Sequence, residues 1–402
     1  MTTPTTGAQP DVPNTAEDIL SAARALVPAL RARAAQIEEA RRLPADLVEA
    51  VRATGAFRMG FAAEFRGPAL TAAQQTRVLE ELAYGDSSVG WCAMVGMDSG
   101  LFATYLPRPA VRRVFPSLDM STAGMLAPAG RAERVPGGYR LSGHWSFGSG
   151  IAHADWVFAG AHTCTDGELD RDADGNPNWR VLLVPPDEAE LIDTWHATGL
   201  AGSGSMDYEL HGVFVPEERS FTFRAPRSRT GPLSTPDLQM RKMPGVPLGA
   251  ARAALDHVRE TARHLAGPGT GRAWSEQTRV HTVLAECAAE LTAARYGVYR
   301  SLEHRWNRLE PDATQADLTP EERVDTMLAR VRAFRGARDV VRRLCELTAT
   351  ASHPLPPVLD RRLRDLETMC QHFMAQDQII QSAGAHLLGG TPHNPLVLGI
   401  LD

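Results

Sequence analysis

The stretch LSGHWSFGSGIAHADW, residues 141–156, decides how the chain is read. Leu141, Trp145 and Phe147 stand at strand spacing, large and apolar, and then the chain turns small: Ser149, Gly150, Ile151 and Ala152 lead to His153. A period of two marks a strand with one buried face. A strand that passes from aromatics into Gly and Ser either bends there or leaves its backbone open to a close neighbour such as a flat ring.

Working outward, RAERVPGGYRLSGHWSF alternates large apolar and polar residues around Gly137-Gly138, which predicts a hairpin. ADWVFAGAH, WRVLLVPP, AELIDTWHATG and DYELHGVFVP supply further strands, and together they predict a compact sandwich or barrel over residues 119–226. The flanks are helical. Thr15 and Asp18 form a capping signature, and Ile19, Ala23, Leu26, Leu30, Ala34 and Ile37 follow as one apolar stripe. LPADLVEAVRATG carries Pro44 near its start and Gly55 at its end. TAAQQTRVLEELAYGDSSVG predicts a third helix, and WCAMVGMDSGLFATYL, apolar nearly all round, predicts a buried one. Beyond residue 244 four long periodic segments predict an antiparallel bundle, the last being LDRRLRDLETMCQHFMAQDQIIQSAGAHLL. The expected organisation is a disordered leader (1–13), a helical domain (14–118), a β-domain (119–226) and a four-helix bundle (227–402). The fold class is α+β, mostly α.

Composition narrows function by exclusion. The formal charge of −6, with charged residues at 22% and both signs mixed, leaves no basic footprint for nucleic acid or an anionic membrane. No apolar run is long enough to span a bilayer, and the N-terminus lacks a signal-peptide pattern. The five scattered cysteines fit no zinc spacing and predict reduced thiols in the cytoplasm. DRDADGNPN opens like a calcium loop, but Val181 stands where the closing Glu belongs, so a polar hairpin loop is expected. GPGTG (267–271) follows a helix, not a strand, which argues against a dinucleotide turn. G-x-S-x-G, Walker and H-E-x-x-H motifs are absent, and no metal site is expected.

Two further signals stand out. In DTWHATGLAGSGSMDYELHGVFVP (193–216), Gly199, Gly202, Ser203, Gly204 and Ser205 form a loop of small residues between strands. Such a loop offers backbone N–H groups, hydroxyls and space. On the last helix, Arg361, Asp365 and His372 fall at i, i+4 and i+11, one side of a continuous helix.

In this order and architecture, the chain resembles the acyl-CoA dehydrogenase fold, and its motifs resemble the two-component flavin-dependent monooxygenase branch. Asp-x-Ser-x-Gly-Trp is matched by GDSSVGW, W-x-F-x-S-G with H-x-D-W by WSFGSGIAHADW, and W-H-x-x-G-L-x-G-[TS]-G-S by WHATGLAGSGS. The branch's Q-R-x-x-R-D with a His seven residues on is matched by DRRLRDLETMCQH, with Asp360 in place of Gln. The resemblance implies an oxygenase component that takes reduced FMN or FAD from a separate, transient flavin reductase. With O2 it would hydroxylate or N-oxygenate a small molecule through a flavin hydroperoxide, in secondary metabolism or aromatic catabolism. It implies cofactor contacts at Trp145, Ser146, Phe147, Ser149, Gly150, Gly202, Ser203, Gly204, Ser205 and Arg364. It implies catalytic roles for His372 and Ser146, and a substrate pocket at Trp91, Met94, Asp98, His153 and Phe373. Assembly as a homotetramer or homodimer is implied as well.

Two alternatives stay open. An FAD-dependent acyl-CoA dehydrogenase commonly carries its Glu base about eight residues past the Arg-Asp pair, where this chain has Phe373 and no Glu or Asp between 368 and 375. A repurposed, flavin-poor member such as a cyclase is the other. The branch's Gly-Gly-rich loop before the Arg-Asp helix is TATASHPLPP here, and its P-x-x-x-G-G turn is FAAEFRGP, so FMN and FAD are not distinguished.

Overall fold

The computed structural model describes residues 12–223, 238–264, 273–309, 317–349, 356–393 and 395–398. The GPGTG segment, most of the TATASHPLPP stretch and the expected leader up to residue 11 lie outside the described residues. The N-terminal helices are α1 (Ala16–Ala32), α2 (Ala34–Ala40), α3 (Ala45–Ala53), α4 (Ala72–Gly85), α5 (Ser87–Gly96), α6 (Asp98–Ala103) and α7 (Arg108–Val114). The expected stripe is buried at Ile19, Ala23, Leu30, Ala34 and Ile37, although the helix breaks at Arg33. The third helix also divides. Asp86 interrupts it because its carboxylate accepts the N–H groups of Ser88 (2.9 Å) and Val89 (3.1 Å), starting α5 afresh.

The strands are β1 (Thr122–Val135), β2 (Gly138–Gly148), β3 (Trp156–Thr165), β4 (Glu168–Leu169), β5 (Trp179–Val184), β6 (Glu190–Ile192), β7 (Met206–Pro216) and β8 (Ser220–Phe221). They form one sheet in the order β6-β7-β2-β1-β3-β5-β8, with β4 on β3. The expected sandwich or barrel is thus a single continuous sheet, curled enough for β5 to approach β7 without pairing with it. β1 and β2 pair as the predicted hairpin, with Val135 opposite Gly138. The expected strand AELIDTWHATG is strand only at Glu190–Ile192, and Trp195 to Gly199 run as irregular loop. The Asp and Trp of HADW tie this sheet to the helices. Asp155 accepts Ser121 N–H (2.7 Å) and Arg52 (3.0 Å), and Trp156 Nε1 donates to the Val114 carbonyl (2.7 Å).

C-terminal to the sheet come α8 (Leu238–Arg241), α9 (Gly245–His264), α10 (Thr278–Leu309), α11 (Pro320–Ala349), α12 (Pro357–Gln371) and α13 (Asp377–Leu387). α9 to α12 pack as the expected bundle, with α11 against α9, α10 and α12. The last expected helix is broken. α12 ends at Gln371, His372 takes extended backbone as its C-cap, and a short 3-10 turn leads to α13. The Gln376 side chain caps the break by donating to the Cys370 carbonyl (2.6 Å). All five cysteines are buried and unpaired. Among the described residues no helix is long and apolar enough to cross a membrane.

Candidate active site

The end of β2 answers the question its sequence raises. Trp145 is buried, stacked on Tyr208 at 5.4 Å, with Nε1 donating to the Gly160 carbonyl (2.8 Å). Phe147, two residues on, should share that face. Instead it adopts φ +67°, the register shifts between Trp145 and Gly148, and its ring turns out to 59% exposure. There it meets the edge of Trp195 at 6.3 Å. The chain then folds inward, and Gly150 N–H donates to the Ser203 carbonyl (2.8 Å). The two small-residue stretches found in the sequence are therefore hydrogen-bonded neighbours.

Their hydroxyls form a buried chain. Trp91 Nε1 donates to Ser149 Oγ (3.1 Å), Ser149 Oγ meets Ser205 Oγ (2.7 Å), Ser205 Oγ meets Ser203 Oγ (2.7 Å), and Ser203 Oγ donates to the Leu200 carbonyl (2.7 Å). Each hydroxyl has one proton. The carbonyl at the end can only accept, so Ser203 spends its proton there. Ser205 must then donate to Ser203, and Ser149 to Ser205. Every proton points from Trp91 toward Leu200, so the three oxygens have lone pairs to offer and no donor.

The loop that holds these serines is pressed onto α12. A Cβ at Gly199 would lie 2.0 Å from the Arg364 carbonyl oxygen, and one at Gly202 would lie 2.2 Å from an Ile37 methyl, so neither position admits a side chain. Between them Leu200 is left-handed, at φ +51°. That conformation costs about 1–2 kcal/mol in a residue with a Cβ. The Leu200 N–H donates to buried Asp365 at 2.7 Å. A bond to a charged acceptor contributes about 1.5–3 kcal/mol and offsets the strain.

Asp365 belongs to a buried ionic group. Arg362, 4% exposed, donates to the carbonyls of Ala83 (2.9 Å), Tyr84 (3.0 Å) and Gly85 (2.7 Å) and to Ser87 Oγ (2.7 Å). It thereby closes the C-terminus of α4 beside the start of α5. Burial and the neighbouring Asp86 carboxylate push Asp365 up to about 6, against the pull of Arg362. Although Arg361 and Asp365 stand at i, i+4, they do not pair. Arg361 reaches Glu38 (2.7 Å), and the i, i+4 pair on this helix is Asp360 with Arg364 (2.9 Å).

His372 lies against Trp91, edge to face at 5.5 Å, and beside Phe373 at 4.9 Å. Its Nδ1 accepts the Met374 N–H (3.3 Å), so the neutral ring carries its proton on Nε2. Burial, with the positive Arg330 nearby, lowers its pKa to about 4, so the ring is neutral at pH 7. His153 is likewise lowered to about 4, mainly by burial, and its Nδ1 is buried without a partner.

Trp91, Ser149, Gly150, Gly202, Ser203, Gly204, Ser205, His372 and Phe373 are therefore linked through direct contacts or one short loop. Other sequence candidates are placed differently. Ser146 Oγ donates to Asp207 (3.0 Å), a carboxylate shared with His144 on the outer face of the sheet. Arg364 is engaged by Glu38 (2.5 Å), by Asp360 and by the Thr198 carbonyl. Asp98 is buried in an ion pair with Lys242, and Met94 lies in the helical core. Asp365, Arg362 and Trp195 join the site without having been assigned roles from sequence. The motif flagged Asp365, but only burial separates it from a solvated partner of Arg361. An open groove of about 550 Å³ runs outside the loop past Arg41, His196, Thr198 and Arg364. Its arginines are already paired with Asp193, Glu38 and Asp360, so it holds no excess of positive charge. In the DRDADGNPN loop, Asp172 accepts the N–H groups of Asp174 and Asn176, as a polar turn does.

Comparison with known proteins supplies an independent view. Residues 13–108 match the acyl-CoA dehydrogenase N-terminal domain family, and residues 244–377 match the acyl-CoA dehydrogenase C-terminal domain family. The chain is 34% identical over 286 residues to the oxygenase component of an FADH2-dependent resorcinol hydroxylase from Rhizobium sp. (strain MTP-10005), covering 66% of this chain and 67% of that one. It is 29% identical over 367 residues to an indole-3-acetate monooxygenase of Pseudomonas putida, covering 90% and 91%. The structure of XiaF from Streptomyces sp., in complex with FADH2 and glycerol, superposes with a TM-score of 0.83 at 25% identity over 94% of this chain and 96% of that one.

Proposed function

The chain belongs to the acyl-CoA dehydrogenase family, among its flavin-dependent monooxygenase oxygenase components, and from that premise we propose that it hydroxylates or N-oxygenates a small molecule with reduced FMN or FAD and O2. The observation that carries this reading is the one-way hydroxyl chain beside His372. Reduced isoalloxazine has an N–H at N5 where the oxidised ring has a lone pair. A wall that accepts and does not donate therefore suits the reduced form.

The residues present fit a flat cofactor. Gly199 and Gly202 keep the loop close to α12 and α2, and Phe147 and Trp195 offer aromatic surface beside it. Bound reduced flavin supplies the two electrons with which O2 divides between a hydroxylated product and water. This chain's own residues do the rest. Ser149, Ser203 and Ser205 would hold the ring edge by accepting from its N–H groups. Trp91 and Phe373 limit water near His372, where solvent would favour release of hydrogen peroxide. His372 presents Nε2–H to a substrate hydroxyl, amine or ring nitrogen and holds it in place. A base role at that atom requires the proton to move to Nδ1, at the expense of the Met374 bond.

The carboxylates of α12 argue against thioester dehydrogenation. Asp360 is paired with Arg364, Asp365 holds Leu200, and Glu367 is paired with Arg342. None is available as a base beside His372. The named relatives act on resorcinol and indole-3-acetate, which makes a phenol or an indole the substrate class to test first. A separate flavin reductase supplies the cofactor. Assembly as a homotetramer or homodimer is supported by exposed Tyr296, Leu328, Ile380 and Leu388 on or beside the C-terminal helices, and light scattering tests it. The unpaired cysteines support a cytoplasmic location.

The experiment is turnover with reduced flavin under ¹⁸O2 across a panel of phenols and indoles. Incorporation of one ¹⁸O, with less hydrogen peroxide released per flavin oxidised, is expected. Flavin oxidation at the free rate with every compound would overturn the reading.

A further inference from the structure

We propose that Asp365 is a positioning residue that sets the direction of the serine hydroxyl chain, and through it the preference of the site for reduced over oxidised flavin. This rests on the flavin reading above and deepens it.

The argument starts at Leu200. Its carbonyl is the sink of the chain, accepting Ser203 Oγ (2.7 Å), Ser203 N–H (2.9 Å) and Trp195 Nε1 (3.0 Å). A carbonyl takes that role only while the residue stays left-handed, a conformation a leucine does not hold unaided. The one bond from outside the loop to the Leu200 backbone among these is the N–H donated to Asp365 Oδ1. Asp365 does not move to suit the loop. It is buried beside Arg362, whose guanidinium is fixed by three carbonyls and Ser87, and it faces Asp86 at the start of α5. At pH 7 its carboxyl is largely ionised, because its pKa is raised only to about 6.

The other end of the chain is fixed by Trp91, which always donates into Ser149. With both ends fixed, no serine has a proton to spare. If the Leu200 carbonyl leaves its place, Ser203 loses its acceptor. Ser203 can then donate to Ser205, Ser205 to Ser149, and Ser149 gains a free O–H that suits an oxidised ring. Asp365 thus acts on the cofactor through hydroxyls it does not touch.

Two nearly isosteric variants separate this role from simple support. Asp365→Asn keeps an oxygen for the Leu200 N–H, and Asp365→Leu removes it. Dissociation constants for reduced and oxidised FMN and FAD are measured anaerobically and aerobically, with far-UV circular dichroism to follow folding. Asp365→Asn is expected to stay within about threefold of wild type for both redox states. Asp365→Leu is expected to bind reduced flavin about tenfold to a hundredfold more weakly, with the oxidised-to-reduced ratio falling toward one. Equal losses for both redox states, or an Asn variant as impaired as the Leu variant, would overturn the proposal. Wild type that binds neither form sinks the flavin reading as well, and does so without reference to Asp365. Should the Leu variant not fold, hydrogen exchange in the 198–205 peptide of wild type decides. Protection of the Leu200 amide comparable to helix amides is expected, and exchange at loop rates overturns the proposal.

Discussion

Two histidines sit in opposite surroundings, one among aromatic rings and one among carboxylates, and fare in opposite ways. His372 is enclosed near α12, and burial lowers its pKa to about 4. His144 lies on the outer face of the sheet, bridging Asp207 and Glu209 at 2.9 Å each, and its pKa is raised, chiefly by the hydrogen bond to Asp207. The same contrast holds for the acids. Asp365 and Asp86 share buried Arg362 and are pushed up, whereas Asp207 is lowered by its bonds to His144, Ser146 and Thr194 despite the desolvation it feels. Both regions hold aspartates beside a basic side chain. Access to water decides whether a charge there costs stability or is almost neutral.

The contrast is broken most severely at Arg362. Arg362→Met should destabilise the chain by about 3–5 kcal/mol, read by urea unfolding, because it strands Asp86, Asp365 and the α4 carbonyls. Next comes His372. His372→Ala should leave reduced-flavin binding within a few fold but lower coupled product formation by about 10²–10⁴, with oxygen diverted to hydrogen peroxide. His372→Asn, which keeps an N–H donor, should recover part of that loss. Acid exposes the third effect. His372 and His153 have folded pKa values near 4, below the ordinary value, so the unfolded chain binds protons first as pH falls. Each contributes stability that is full above about pH 6.5 and lost between there and 4, on the order of 3 kcal/mol at most. Asp365, Asp86 and Asp98, whose pKa values burial raises, oppose them with slopes of the other sign. The loss of urea midpoint between pH 7 and 4 should therefore be smaller in His153→Gln than in wild type. The outer face gives the smallest effect. Glu209→Gln should shift Tm by no more than about 1–2 °C, and 0.5 M salt should shrink even that.

Some of the site was legible because it is written in neighbouring residues. The switch from aromatics to Gly and Ser after Phe147, the Gly/Ser loop at 199–205 and the capping signature at Thr15 each depend on a few adjacent positions, and each is found where expected. The break at His372 was not legible. LETMCQHFMAQDQII reads as continuous helix, and what ends it is a Gln376 side chain bonding back to Cys370 and an imidazole capping Met374. Ser146 alternates onto the same face of β2 as His144, opposite buried Trp145, so its hydroxyl bonds Asp207, away from the serine chain.

By itself, the sequence determined the order of the main helical and strand segments and the places of the small-residue stretches, since periodicity and glycine content act over a turn or two of chain. Only the tertiary structure decided which charges went inside. Arg361 and Arg362 differ by one residue, a rotation of about 100° on a helix. One reaches Glu38, and the other is buried against Ser87, 275 residues away in sequence. Asp365 finds Leu200 across 165 residues in the same way, and that bond fixes the loop. Such pairings depend on how whole helices dock, and no local pattern records the angle at which they do.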